Sequence, residues 1–138
     1  MTETAQLLKE AGLKATPQRL AIFYMLHHTK THPSAEMIYT NLHETHPTMS
    51  LATVYKTLDA LVKTGLIQQI NVGEDAYRYD SNTEVHPHII CTACNRVFDI
   101  ELEGIPSLRE QVKQKTSFLL KKEQLYFYGI CPECQNKK

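Results

Sequence analysis

The chain has 138 residues, enough for one ordinary domain or two small ones. Fifteen basic residues balance fifteen acidic ones, so net charge indicates no general attraction to nucleic acid, and a DNA-binding surface must be a local patch. Hydrophobic residues make up 42% of the chain, as in globular proteins, and no apolar run approaches the roughly 20 residues that cross a bilayer. We therefore expect a cytoplasmic protein without a targeting or membrane segment.

The N-terminal part of the chain has the pattern of three short helices. Residues 2–11 predict an amphipathic helix. Thr16 and Pro17 predict the start of a second helix, because threonine is a good N-cap and proline suits the first helical position. Ser34 is placed to cap a third helix, which Pro47 closes.

A fourth helix and a hairpin follow. Ser50 is placed to cap a helix over residues 51–64, where apolar residues recur with a period near 3.6. The period then changes, and residues 66–72 and 76–79 predict two strands around a turn at 73–75. Helices followed by a hairpin wing are typical of a winged helix-turn-helix, whose last helix before the wing enters the major groove. An ordinary amphipathic helix has the same pattern, so spacing alone leaves DNA binding open.

The C-terminal part favours short strands and one helix. Strands are predicted at 88–91 and 96–100, and an extended stretch at 119–130. A helix is predicted at 106–116 with Leu108 and Val112 facing inward. Exposed apolar residues and sheet edges there suit coverage by an identical partner.

The expected fold is α+β in two parts. We predict a winged-helix DNA-binding domain at residues 1–79 and a small α/β dimerisation and metal-binding domain at 80–138, with a hinge near 78–86. A domain this small often needs a metal ion to stabilise it.

Four cysteines form two matched pairs, Cys91 with Cys94 and Cys131 with Cys134, and the chain has no others. A two-residue gap lets a tight turn direct both sulfurs to one centre, and two such turns supply the four thiolates of a closed tetrahedral zinc site. Disulfides are disfavoured in a reducing cytosol, and a catalytic dithiol would need a βαβ unit that the sequence lacks. The pairs therefore predict a structural zinc ion.

A second group of metal-binding residue types comprises Asp80, His86, His88 and Asp99. Strand geometry would place both histidines on one face. Imidazoles and carboxylates without a thiolate favour iron or manganese over a closed zinc cage, although zinc and cobalt also bind such donors. Surface histidines are the alternative interpretation, because His-x-His also occurs by chance.

Five motifs in order resemble signatures of the ferric uptake regulator (Fur) superfamily over almost the whole chain, at residues 12–19, 32–35, 50–58, 86–91 and 128–131. The resemblance implies a transcriptional repressor, not an enzyme. Such a repressor is a metal-dependent homodimer that binds AT-rich inverted repeats in double-stranded DNA. Carried over to this sequence, it adds His32 to the regulatory ligands Asp80, His86, His88 and Asp99. It also assigns DNA contacts to Lys14, Gln18, Arg19, Thr53, Tyr55 and Lys56.

One residue indicates a branch of the superfamily. Asp99 stands where iron-uptake regulators usually have glutamate, which resembles the peroxide-responsive repressor branch. There, hydrogen peroxide reacts at bound Fe(II) and a ligand histidine is oxidised, here His32 or His86, whereas manganese supports DNA binding without that chemistry. The segment 121–123 lacks the histidine of a further metal site in many uptake regulators. A reversible iron- or other metal-uptake regulator is the alternative.

Two other classes of protein compete with this hypothesis. Two histidines and a carboxylate are also the facial set of non-heme Fe(II) oxygenases, but five protein ligands leave little room for substrate. A thiol-switch regulator would use the cysteines as its sensor, and tight zinc binding would quench their reactivity. The remaining histidines are predicted to be solvated and not ligands: His27, His28, His43 and His46.

Overall fold

The computed structural model describes residues 2–73, 76–83 and 86–137. They fall into two compact units, which divide between residues 83 and 84 of the chain. The first contains α1 (Thr2–Glu10), α2 (Pro17–His27), α3 (Ala35–Leu42), α4 (Leu51–Lys63), β1 (Gln68–Gly73) and β2 (Ala76–Asp80). The second contains β3 (His88–Cys91), β4 (Val97–Asp99), α5 (Ile105–Lys115), β5 (Tyr126–Gly129) and α6 (Pro132–Gln135). This mixed architecture confirms the predicted α+β class.

Local capping explains where the helices of the first unit begin. The side chains of Thr16, Ser34 and Ser50 each accept a hydrogen bond from the backbone N–H three residues later. Each bond satisfies a donor that the first helical turn leaves unpaired, which is worth about 1 kcal/mol. The three predicted caps are therefore confirmed.

The end of α4 depends on a glycine. Gly65 has a φ of 80°, a left-handed conformation that is unstrained only without a Cβ. Its N–H donates to Val62 O, and the N–H of Leu66 donates to Leu61 O. This pair of bonds satisfies the last carbonyls of α4 and turns the chain toward β1.

The core of the first unit is built from the apolar faces of its helices and the hairpin. Full burial of such side chains contributes about 1.5–3 kcal/mol each. The hairpin pairs antiparallel, with Gln68 opposite Asp80 and Ile70 opposite Arg78. Two residues of the predicted turn, 74 and 75, lie outside the described residues. The core comprises Leu8, Ile22, Phe23, Leu26, Ala35, Ile38, Met49, Val54, Leu58, Leu61, Ile67 and Tyr79.

The second unit has a three-stranded sheet in the order β4-β3-β5. The central strand β3 pairs antiparallel with β4, which places His88 opposite Asp99. It pairs parallel with β5, which places Cys91 opposite Gly129, two residues before Cys131. The register of this sheet therefore determines the positions of both groups of candidate metal donors in the unit. Residues 84 and 85, in the predicted hinge, lie outside the described residues.

One prediction for the second unit was wrong, and another was confirmed only in part. Leu108 and Val112, predicted to face inward, are 47% and 44% exposed. The predicted extended stretch over 119–130 is a strand only from Tyr126 to Gly129. Further apolar side chains of this unit are exposed, namely Leu102, Phe118, Leu119, Phe127, Tyr128 and Ile130. Among the described residues, no helix is long and apolar enough to span a membrane.

Candidate metal centres and DNA-facing surface

The four cysteines of the second unit converge on one point. All four are free thiols, and their sulfur atoms lie within 4.8 Å of one another. The Cys94 and Cys131 sulfurs are 4.0 Å apart. Sulfurs bound at about 2.3 Å to a tetrahedral zinc ion are separated by roughly 3.8 Å, whereas a disulfide requires about 2.05 Å. The donor set therefore fits zinc, and the predicted clustering of the cysteines is confirmed.

Hydrogen bonds around this cluster favour thiolates at two positions, Cys91 and Cys94. Backbone N–H groups of Cys131 and Cys94 donate to Cys91 Sγ at 3.4 Å each, and they lower the pKa of Cys91 to about 6. A hydrogen bond from Arg96 is the largest cause of a lowered pKa at Cys94. The neighbouring Cys131 raises the pKa of Cys134 to about 12. A divalent cation would supply the positive charge that holds the whole set deprotonated.

A second donor group in the same unit contains His86, His88 and Asp99. The Oδ1 atom of Asp99 lies 3.2 Å from His86 Nε2 and 3.3 Å from His88 Nε2. The two imidazole rings are 4.3 Å apart between centroids, and His88 is 2% exposed. Burial of His88 contradicts the surface-histidine interpretation for that residue. Two imidazole nitrogens and one carboxylate oxygen directed at a single point suit divalent iron or manganese.

The first unit carries a histidine and a carboxylate in contact. His32 Nε2 lies 3.1 Å from Asp80 Oδ2, and the two residues are 4% and 8% exposed. The N–H of Asn82 donates to the other oxygen of Asp80 at 2.9 Å, which orients the carboxylate. Such burial of a polar pair is unusual unless the groups are bonded to each other or to a ligand.

The loop that carries His32 is anchored to the wing strand β2. Arg78 Nη1 donates to the His32 carbonyl at 3.2 Å, and the N–H of Tyr79 donates to the Pro33 carbonyl at 3.0 Å. His32 has a φ of 53°, a left-handed conformation that costs on the order of 1 kcal/mol for a residue with a side chain. Sequence patterns gave no indication of Arg78, because its partner lies 46 residues away.

The predicted DNA-contacting residues lie in the first unit. Lys14, Tyr55 and Lys56 are exposed, and Gln18, Arg19 and Thr53 are partly exposed. Arg19 Nη1 donates to the Lys14 carbonyl at 2.9 Å, so it also holds the loop that carries Lys14. The Tyr55 hydroxyl donates to the carboxylate of Glu36.

One polar residue of α4, Thr57, does not lie on the exposed face of that helix. Thr57 is 7% exposed and packs inward with Val54, Leu58 and Leu61. The exposed face of α4 that remains contains Tyr55 and Lys56.

The ferric uptake regulator family model matches residues 10–128 of the chain. The chain belongs to this family. Its members are transcription regulators and not enzymes, which confirms that prediction. A family member from Staphylococcus aureus strain Mu50, the peroxide-responsive repressor PerR, is 34% identical over 137 residues, covering 99% of this chain and 93% of its own.

Solved structures of the family extend this similarity to the fold. The Helicobacter pylori ferric uptake regulator Fur, which has three functional metal-binding sites, superposes with a TM-score of 0.82 at 26% identity, covering 99% of this chain and 92% of its own. The Campylobacter jejuni peroxide stress regulator superposes with a TM-score of 0.76 at 34% identity, covering 94% and 97%. Other family members have been solved with iron, manganese or zinc, which are the cofactors predicted here.

Proposed function

We propose that this family member is a dimeric repressor whose DNA binding requires a divalent metal ion and which responds to hydrogen peroxide. The observation that carries the proposal is the convergence of His86, His88 and Asp99 on one point of the second unit. Three protein donors leave coordination positions of a divalent iron or manganese ion open, since such ions take up to six ligands. His32 and Asp80, which are in contact in the first unit, are the donors that complete the set.

The cysteine cluster has a different role in this proposal. Cys91, Cys94, Cys131 and Cys134 hold a structural zinc ion that has no open position for exchange. This zinc fixes the turn after β3 against the segment after β5, and β3 also carries His88. The cluster therefore keeps the donors of the second unit in place.

The regulatory ion would join the two units. Without the ion, the negative charges of Asp80 and Asp99 would repel each other at a shared site. A bound divalent ion neutralises them and ties His32 to the second unit. The units are then held in the arrangement that presents two recognition helices of a dimer to successive half-sites, so metal and DNA binding strengthen each other by the same factor.

The DNA-binding surface is proposed to read AT-rich inverted repeats. Tyr55 contacts thymine methyl groups, and Lys14 enters the narrow minor groove of AT-rich DNA. Gln18, Arg19, Thr53 and Lys56 contact phosphates. Removal of Lys56 should then weaken binding to all sequences and lower the slope of log affinity against log salt by about 1. The exposed apolar face around Leu108 and Val112 is proposed to pack against the same face of a second copy.

A ligand histidine is the proposed target of peroxide. Bound Fe(II) supplies the redox chemistry that activates hydrogen peroxide. Overall, an imidazole C–H of His32 or His86 becomes C–OH, and the peroxide that delivered one oxygen atom leaves as water. The altered ring loses its nitrogen donor geometry, so the two units separate and DNA is released. The 34% identical peroxide-responsive relative and Asp99 support this specificity.

Operator binding with and without peroxide tests the proposal. A labelled AT-rich inverted repeat is titrated with protein loaded with Fe(II) or Mn(II), and then treated with hydrogen peroxide. We expect release from the Fe(II) protein only, together with the mass of one oxygen atom on the His32 or His86 peptide. Equally fast release from the Mn(II) protein, or unmodified peptides after release, would reject peroxide sensing.

The Asp99→Glu variant separates peroxide sensing from metal sensing. Glutamate keeps the carboxylate but moves it by one methylene. We expect repression to persist and peroxide sensitivity to fall by at least roughly tenfold. Unchanged sensitivity would remove Asp99 as the discriminating residue. A metal-uptake regulator, favoured by the structural overlap with the Helicobacter pylori Fur, would release DNA only when free Fe(II) falls, and peroxide would leave it bound.

A further inference from the structure

Arg96 makes contact with both halves of the cysteine cluster. Its Nε lies 3.3 Å from Cys94 Sγ, and its Nη2 lies 3.5 Å from Cys131 Sγ. The first sulfur belongs to the turn after β3 and the second to the start of α6. A single guanidinium group therefore donates to one sulfur of each cysteine pair.

Two further contacts hold this guanidinium in place. Nη2 donates to Glu133 Oε2 at 2.8 Å, and the guanidinium carbon lies 5.4 Å from the centre of the Phe98 ring. The Phe98 contact lies within the distance at which a cation is attracted to an aromatic face. Arg96 thus has a fixed position at the edge of the cluster, although its side chain is 44% exposed.

The charge of the loaded cluster explains what such an arginine does. Four thiolates around one Zn²⁺ carry a net charge of about −2, and thiolate sulfur is the form that reacts with oxidants. Charge-assisted hydrogen bonds withdraw electron density from their acceptors. We infer that Arg96 is a positioning residue that protects the zinc-bound sulfurs of Cys94 and Cys131 from oxidation by hydrogen peroxide.

The oxidation that Arg96 slows has a defined balance. Two thiolates lose two electrons and form a disulfide, while hydrogen peroxide accepts them and becomes two hydroxide ions. Zinc then loses two ligands and leaves. A repressor that meets peroxide needs this reaction to be slower than the proposed oxidation of His32 or His86. The inference rests on zinc binding by the cysteine cluster, as proposed above.

Zinc release measured in two ways tests the inference. The zinc-loaded wild type, Arg96→Met and Arg96→Lys are exposed to hydrogen peroxide without iron, and freed zinc is followed with a chromogenic chelator. In parallel, a strong chelator extracts zinc without peroxide. We expect peroxide-driven release to be roughly tenfold faster in Arg96→Met than in wild type, with Arg96→Lys between them, while chelator-driven release changes by less than about threefold.

A matched control and a second neutral variant complete the design. Arg109→Met removes a guanidinium of the same unit that pairs with Glu123 at 2.9 Å and should behave as wild type. Equal rates of peroxide-driven zinc release in wild type and Arg96→Met would overturn the inference. An equal increase in the peroxide-driven and chelator-driven rates would also overturn it, because that result indicates a loosened zinc site. If the Arg96→Met variant does not retain zinc, the Arg96→Gln variant is used in its place. Loss of zinc from both variants in reducing buffer would show that Arg96 is needed for zinc binding itself, which would overturn the protective role. Wild type purified without zinc would instead reject the zinc site itself.

Discussion

The cysteine cluster and the histidine–aspartate donors differ in where their ligands come from. All four cysteines belong to the second unit, and their sulfurs already lie within 4.8 Å of one another. The other donors are divided, with His32 and Asp80 in the first unit and the remaining three in the second. A site within one unit can only stabilise that unit. Donors from two units allow an ion to couple the units, which is what a regulator needs.

The two groups also differ chemically in a way that matches these roles. Thiolates hold zinc without an exchangeable position. Imidazole and carboxylate donors bind several divalent metals with graded affinity, so occupancy can follow supply. In the proposed function, the chain therefore uses soft donors for a permanent ion and harder donors for a variable one.

Loss of one cysteine should have the largest effect. Structural zinc contributes an apparent binding free energy of about 10–16 kcal/mol in zinc-finger peptides. Cys131→Ser is therefore expected to lose zinc and to unfold the second unit, while the helices of the first unit keep their own unfolding transition. Zinc analysis and circular dichroism during denaturation check this. A folded second unit without zinc would show that the cluster does not stabilise it.

Loss of one ligand from the donor set that is divided between the units should leave both units folded and abolish the coupling between them. His32→Ala is expected to lower Mn(II) affinity by more than about 100-fold, because even outer partners of ligands typically contribute 10–100-fold. Operator binding at limiting Mn(II) should fall by the same factor, with zinc retained. His27→Ala is the control, since His27 is a first-unit histidine outside the donor set. Equal Mn(II) affinities of the two variants would remove His32 from the site.

Removal of the hydrogen bond that supports the His32 loop should have a smaller effect on metal binding. Arg78→Met removes the bond to the His32 carbonyl and leaves the His32 ring intact. We expect a loss of roughly three- to tenfold in Mn(II) affinity. Isothermal titration of both proteins with Mn(II) provides the measurement. An unchanged affinity would mean that the wing strand does not position this ligand.

The smallest predicted effect lies outside both metal centres. The Tyr55 hydroxyl lowers the pKa of Glu36, so their bond stabilises the fold above pH 4.5 and is lost as pH falls through the lowered pKa. Because the pair is largely exposed, its contribution is under about 1 kcal/mol. Urea unfolding of wild type and Glu36→Gln should differ at pH 7, and the difference should become smaller at a pH well below 4.5. A difference that keeps its full size at the lower pH would contradict the assignment.

Local signals explain which features were predictable from the sequence. The helix starts at Thr16, Ser34 and Ser50 depend on contacts between residues three apart in sequence. The spacing within each cysteine pair likewise predicts that its two sulfurs bind one metal ion. The residues that cover the apolar face of a helix cannot be read from its local sequence. The pattern of α5 correctly indicated an amphipathic helix, but the described part of the chain leaves Leu108 and Val112 exposed.

Long-range partners explain the rest of what the sequence did not reveal. Strand β5 forms only where Tyr126 to Gly129 pair with β3, and the sequence did not show which part of the predicted extended stretch would pair. The role of Arg78 depends on a carbonyl 46 residues away. Arg96 was open to prediction, since it follows Cys94 by two residues, but its bond to Cys131 depends on the parallel pairing of β3 and β5.

The most direct test of the divided site is a count of imidazole ligands on the regulatory ion. Zinc-loaded protein is titrated with Mn(II), and pulsed electron paramagnetic resonance detects the histidine nitrogens bound to the manganese. We predict one Mn(II) per chain with three bound imidazoles in wild type, and two in His32→Ala loaded at high Mn(II). Two Mn(II) ions per chain, or one that carries only the two imidazoles of the second unit, would contradict a site shared between the units.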